Sequence, residues 1–309
     1  KLKEFSKNCF DGCIDSGVIN YSLLSKNINK QGSKVMIFAE GPDELLGGYL
    51  SDIEANKIDK IFFDNKFLLP LLKNEIIQKL LIKFLKLKKN IEFEFSYYPF
   101  YTQSNHLVCS NKFLKTIFED LDPGQLNDYG VLDQEYEGIS SRLDNSQKRA
   151  LIYASKSIPD MFNLRTDKSF MAFSVEARLP FQAVNLVEFF IAMPKEYRFK
   201  KNFGKYYLRK YSERIDKILS LSPKIGMGGP LWLEDKNREF LRMEETIKNS
   251  NFFDLFPFKK NVKEILLNKQ THPANLWNAY VLVNTFEELS KINKQKILNK
   301  NIWSNDNTL

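Results

Sequence analysis

The sequence predicts an α/β fold, in which part of a parallel sheet leads into a mostly helical remainder, and three observations point to it. Residues 34–39 (KVMIFA) form a short apolar run entered through Gly32, as expected of a strand buried on both faces. Residues 21–30 before it read as a helix. After it, Glu40-Gly41-Pro42-Asp43-Glu44-Leu45-Leu46-Gly47-Gly48-Tyr49 opens another. Pro42 suits the first helical position, where its missing N–H costs nothing. Asp43 and Glu44 suit the positive end of the helix dipole, and the Gly pair ends the helix. Helix, strand, loop, helix is an α/β order. The α/β part covers residues 1–55. From about residue 56 to 309 the pattern is mainly helical, with an amphipathic basic helix at 76–89 and further helices at 112–120, 145–156, 185–193, 204–213, 236–248 and 276–291. Residues 93–101 alternate as a short strand, interrupted by Pro99, and the polar tail after Lys294 frays.

Composition excludes several classes. At 43% hydrophobic, with 26 Phe and 13 Tyr, the 309 residues can build a core that rests on aromatic burial, so disorder is out. Three cysteines (Cys9, Cys13, Cys109) make no disulfide framework, which points to a reducing cytoplasm. Two histidines (His106, His272) make no zinc array, and Cys9 with Cys13 is half a zinc site. No run of about 18 uncharged apolar residues suggests a membrane span. The net charge of +8 comes from dispersed lysines, so no nucleic-acid partner is expected.

The chemistry concentrates at charged clusters. Glu40, Asp43 and Glu44 follow the carboxyl end of a predicted strand, where open α/β sheets bind ligands. Three carboxylates so close repel one another unless cations neutralise them. A Mg²⁺ ion with a nucleotide's phosphates, or basic side chains, would do so; complementing the helix dipole is the alternative. Lys205 and Arg209 fall four apart on one helix face, and Lys224 sits in the Gly/Pro-rich loop S-P-K-I-G-M-G-G-P. Asp167, Glu176 and Arg178, set among apolar residues, suggest a buried ion-pair network.

Taken in order, E-G-P-D-E-L-L-G-G-Y at 40–49, R-T-D-K-S-F-M-A-F-S-V-E-A-R-L-P-F at 165–181, G-K-Y-Y-L-R at 204–209 and P-K-I-G at 223–226 resemble the asparagine synthetase domain of the PP-loop ATP pyrophosphatases. The resemblance spans about residues 11–232. It implies an adenine nucleotide alpha hydrolase-like core and a ligase that activates aspartate with ATP and Mg²⁺ as a β-aspartyl-adenylate. Nitrogen would come from glutamine or ammonia, through a glutaminase domain or subunit expected upstream. The resemblance makes Glu40 and Lys224 catalytic. It assigns Gly41, Asp43, Lys205 and Arg209 to the nucleotide, Asp43 also to the metal, and Arg165 and Asp167 to the substrate.

The sequence departs from that pattern in places. The family's phosphate loop, Ser-Gly-Gly-x-Asp-Ser, is expected upstream of residue 1, so the domain is read as N-terminally incomplete and the chain alone as incomplete for activity. Residues 11–16 (DGCIDS) are rejected as a copy: they lie too near Glu40, no apolar strand precedes them, and they begin with an anion. Phe38-Ala39 replaces Ser-Gly, which is expected to put an aromatic ring beside the adenosine. Gln182 replaces an Asp, Ser222 and Met227 flank the loop lysine in place of Arg and Phe, and Phe162 stands where some asparagine synthetases have Asp. An adenylating or lactam-forming enzyme for another carboxylate stays open, as does a non-catalytic member of the fold.

Overall fold

The computed structural model describes residues 15–62, 74–84, 116–119, 142–222, 224, 238–268 and 273–292. The first half comprises α1 (Gly17–Lys30), β1 (Val35–Ile37), α2 (Pro42–Leu45), α3 (Leu50–Phe62), α4 (Glu75–Phe84) and α5 (Asn145–Ile152). A π-helical stretch (Tyr153–Asn163) then leads into α6 (Leu164–Met171) and β2 (Glu176–Arg178). There follow α7 (Val184–Ala192), α8 (Lys195–Arg198), α9 (Tyr206–Ser212), α10 (Lys217–Leu221), α11 (Arg238–Asn249), α12 (Val262–Leu266) and α13 (Pro273–Ile292). The predicted strand at 93–101, the end of the helix at 76–89, most of the helix at 112–120, all three cysteines, both histidines and the tail lie outside the described residues.

Among the described residues the sheet has two parallel strands, with Val35, Met36 and Ile37 in register with Glu176, Ala177 and Arg178. β2 comes from a stretch that the sequence reads only as a charge cluster, because a three-residue strand with one apolar side chain carries no period. β1 is also not buried on both faces. Met36 packs inward with Phe170 and Val175, whereas Ile37 is 73% exposed. Successive strand side chains point to opposite faces, and among the described residues only one face is covered.

α5 starts with a capping box. The Gln147 N–H donates to Asp144 Oδ1 at 2.9 Å while the Asp144 N–H donates to Gln147 Oε1 at 2.9 Å. The chain stays helical from α5 to the end of α6 despite Pro159, where a break is the usual outcome. The wider π turns absorb the missing donor, so α6 continues from the same rod and carries Arg165 inward. Leu45 and Leu46 pack with Ile158, Phe162, Phe190 and Met193, which seats the turn after α2 on that rod. A second core, around Trp277 and Met243, joins α11, α12 and α13 to Val18 and Ile19 of α1.

Candidate active site

The backbone leaving β1 makes a last sheet bond, from Phe38 N–H to the Arg178 carbonyl at 2.8 Å, then turns at Gly41 into α2. Gly41 has φ +112°, which strains any side-chain-bearing residue, and a Cβ there would lie 3.2 Å from Gln182 Cγ. This turn presents two adjoining clusters at the carboxyl end of the strand.

The first cluster is buried. Arg165 Nη2 donates to Glu40 Oε1, Thr166 Oγ1 donates to Glu40 Oε2, and Arg165 Nη1 donates to Asp15 Oδ2. The guanidinium also donates to the Tyr21 hydroxyl at 3.2 Å and lies over the Tyr21 and Phe162 rings, 4.5 and 5.2 Å from their centres. Burial pushes the Glu40 carboxyl above its ordinary value, against the pull of Arg165 and the Thr166 hydroxyl. Burial disfavours charge on Arg165, but Asp15 and Glu40 outweigh it and raise its pKa. Asp15 meanwhile accepts from the Gly17 N–H at 2.8 Å, at the start of α1.

The second cluster is partly open. Asp43 meets Lys205 Nζ at 2.7 Å through one oxygen and Lys224 Nζ at 2.8 Å through the other, across 181 residues of sequence in the latter case. Burial works against the charge on Asp43, yet the two ammonium groups hold its carboxyl below the usual range. Lys224 also lies 5.3 Å from the centre of the Tyr49 ring, and the Tyr49 hydroxyl donates to the buried Glu44. Burial raises Glu44, and burial with Glu44 alongside raises Tyr49 further.

Backbone contacts put the two lysines there. Gly204 packs against Gly47 and Gly48, and the Lys205 N–H donates to the Leu46 carbonyl at 3.1 Å. Lys205 therefore caps α9 in the left-handed region (φ 54°) rather than sharing a helix face with Arg209. Arg209 spends its donors on carbonyls, Gly204 at 3.0 Å, Ser220 at 2.9 Å and Ser222 at 2.7 Å, and so anchors the segment leading to Lys224. Arg198, 1% exposed, does the same for the acidic turn. It donates to the carbonyls of Leu45, Phe190, Ile191 and Met193, tying the end of α2 to the end of α7, while burial lowers its pKa to about 10.

Glu40, Gly41, Asp43, Arg165, Lys205 and Lys224 thus gather at one strand end, with Arg209 behind the two lysines. Asp167 does not join them; it is exposed on the outer side of α6. The buried network expected of Asp167, Glu176 and Arg178 is absent. Glu176 and Arg178 pair with each other at 3.0 Å on the open sheet face, because residues two apart on a strand share a face. The Phe38 ring packs 5.0 Å from Tyr21 and 5.9 Å from Phe170, on the inner side with Met36. Thr166, Asp15, Arg198 and Tyr49 were not assigned roles from sequence. The buried positions of α6, at 165, 166, 169 and 170, follow helical period, so Phe170 as an anchor would have marked Thr166 as inward-facing.

A carboxylate gripped by two cations beside a buried carboxylate, at the carboxyl end of a sheet strand, is a site suited to phosphate-bearing ligands. Residues 10–304 match the asparagine synthase family, and the chain belongs to that family of ATP-using, ligase-type enzymes. Searches of curated proteins and of solved structures give no match. No helix among the described residues is long and apolar enough to cross a membrane.

Proposed function

We propose that this chain forms asparagine from aspartate in two steps, first making a β-aspartyl-adenylate and pyrophosphate from ATP, then transferring the acyl group to ammonia. Glutamine, hydrolysed by a glutaminase domain or subunit, is the proposed nitrogen source. The observation carrying this reading is the meeting of Lys205 and Lys224 at Asp43, 2.7 and 2.8 Å away, beside the carboxyl end of β1. Attack of a carboxylate on the α-phosphorus spreads negative charge over phosphate oxygens, and fixed ammonium groups stabilise that charge best in a partly dry site. Lys224 is positioned for this role on the loop side and Lys205 on the α9 side. In the second step the nitrogen that attacks the acyl carbon loses a proton, and Glu40 is the carboxylate closest in kind to a general base.

Magnesium fits this site in one way. Among the described residues no group of three or more metal-binding side chains occurs. Both Asp43 oxygens carry an ammonium group, from Lys205 and Lys224, so Asp43 would suit an ion that takes most of its oxygens from phosphate and water, the usual habit of Mg²⁺, only where the phosphates draw a lysine off it. Asp43 would hold it, and its contribution would be neutralisation of phosphate charge.

Lys224→Met tests the reading. The pair with Asp43 is partly exposed, so its loss should change stability by under about 1 kcal/mol. Pyrophosphate release by the full-length protein, with aspartate and ammonia, should fall by roughly 100- to 1,000-fold. Near-normal turnover in a folded variant refutes it. A second reading, another acid in place of aspartate, is favoured by Phe162 and Gln182. Phe162 is buried under Arg165, and Gln182 accepts a hydrogen bond from Asn163 at 2.8 Å, so neither offers a carboxylate to an amino group. AMP formation across a panel of acids separates the two.

A further inference from the structure

Both oxygens of Glu40 are occupied, one by a guanidinium and one by a hydroxyl, and the two donors differ in what they can do next. Arg165 can only donate, and it is itself fixed by Asp15, by the Tyr21 hydroxyl and by two aromatic rings. Its hold on Oε1 is an ion pair between buried groups, and breaking it would strand a charge. Thr166 carries a hydroxyl, which donates or accepts by turning about one bond, on a side chain that is 1% exposed and set by the rigid α6. We propose that Thr166 is a positioning residue for Glu40, and that Oε2, the oxygen it holds, is the atom that takes the proton from the attacking amine.

This inference rests on the ligase reading for the amine, but the clamp itself does not. The transfer balances simply. The amine's lone pair makes the new bond to the acyl carbon, the acyl–oxygen bond breaks with its electron pair leaving on AMP, and one N–H bond breaks, its pair staying on nitrogen while the proton goes to Oε2. The Thr166 hydroxyl then turns so that its oxygen accepts from the new Oε2–H, while Arg165 keeps Oε1. Before transfer, the hydroxyl's donated bond favours the charged carboxylate, opposing the burial that disfavours it. The charged or titratable groups that bear on Glu40 are Arg165 on α6, Asp15 at the start of α1, Tyr21 within α1 and Glu44 on α2.

The test compares Thr166→Val, which keeps the shape and removes the hydroxyl, with Thr166→Ser, which keeps the hydroxyl. The full-length protein is labelled with ¹³C at glutamate carboxyl carbons, and the Glu40 signal is assigned with Glu40→Gln. Thr166→Val should move the Glu40 titration upward, and Thr166→Ser should restore it. The acid limb of pyrophosphate-coupled amide formation should move the same way, with turnover near neutral pH falling by up to about 100-fold in Val and little in Ser. A Glu40 titration unchanged in Thr166→Val overturns the proposal, whatever turnover does. A moved titration with turnover and its pH limb untouched overturns the Oε2 role. A titration moved in Thr166→Val, while the parent protein forms no amide from any acid, supports the clamp and removes the ligase reading instead.

Discussion

Gly204→Ala adds one methyl group where the α8–α9 hairpin touches the turn that follows α2. A Cβ on residue 204 would overlap the Gly47 carbonyl oxygen, and would lie 2.8 Å from its carbon and 3.2 Å from Gly48 Cα. Carbon pairs rest at about 3.5–4.0 Å, so the two backbones must part by roughly 1 Å. Neither side is a flexible side chain that could step aside. Replacing glycine by alanine at an unstrained, open position stabilises by about 0.4–1 kcal/mol, because the unfolded chain loses freedom. Overpacking costs about 1–3 kcal/mol, so the clash decides the sign. Parting the backbones also stretches the 3.1 Å bond from Lys205 N–H to the Leu46 carbonyl beyond useful length, a loss of about 1 kcal/mol. The expected net effect is destabilisation of roughly 1–3 kcal/mol, read by urea unfolding. Because Lys205 reaches Asp43 from this hairpin, pyrophosphate release should fall by about 100-fold. A variant as stable as the parent, with turnover within about twofold, would show that this contact does not set the lysine's place.

Arg198→Met should be destabilising, because each buried carbonyl left without a donor costs about 1–3 kcal/mol before relaxation. Arg198→Lys, which can serve only some of the four, should fall between; urea unfolding of the three proteins gives the order. Asp52 is buried beside Arg149, 3.9 Å away, and burial lifts its carboxyl from the usual 3.8 to about 7. The folded protein therefore keeps a proton that the unfolded chain has released between those two values. Its contribution to stability is full below the unfolded value and is lost as pH rises toward 7, on the order of 4 kcal/mol in all. Asp52→Asn stays neutral throughout, so its stability measured by urea unfolding from pH 5 to 8 should fall less than the parent's. An equal slope in both proteins would mean that Asp52 is already ionised at pH 5.

The acidic turn was legible because its signals are local. Proline at the first helical position, carboxylates in the first turn and a glycine pair at the end act within a few residues of each other. The helices Val184–Ala192, Arg238–Asn249 and Pro273–Ile292 were legible for the same reason, since each repeats its apolar pattern over two or more turns. β2 and the π-helical stretch were not. Three strand residues establish no period, and Pro159 signals a break that only the packing of Ile158 and Phe162 on Leu45 and Leu46 prevents.

The site divides along the same line. Sequence alone determined which residues carry charge, that Glu40 and Asp43 follow a strand, and, through the order of four motifs, the family. Tertiary structure decided the partners: Asp43 with two lysines from distant segments, Glu40 between Arg165 and Thr166, Asp167 turned out to solvent, and Phe38 turned into the core. The physical reason is that a residue's charge is intrinsic to its side chain, whereas its hydrogen-bonding partner and the water around it depend on segments more than a hundred positions away. Only folding brings those segments together and removes the water that would otherwise screen them.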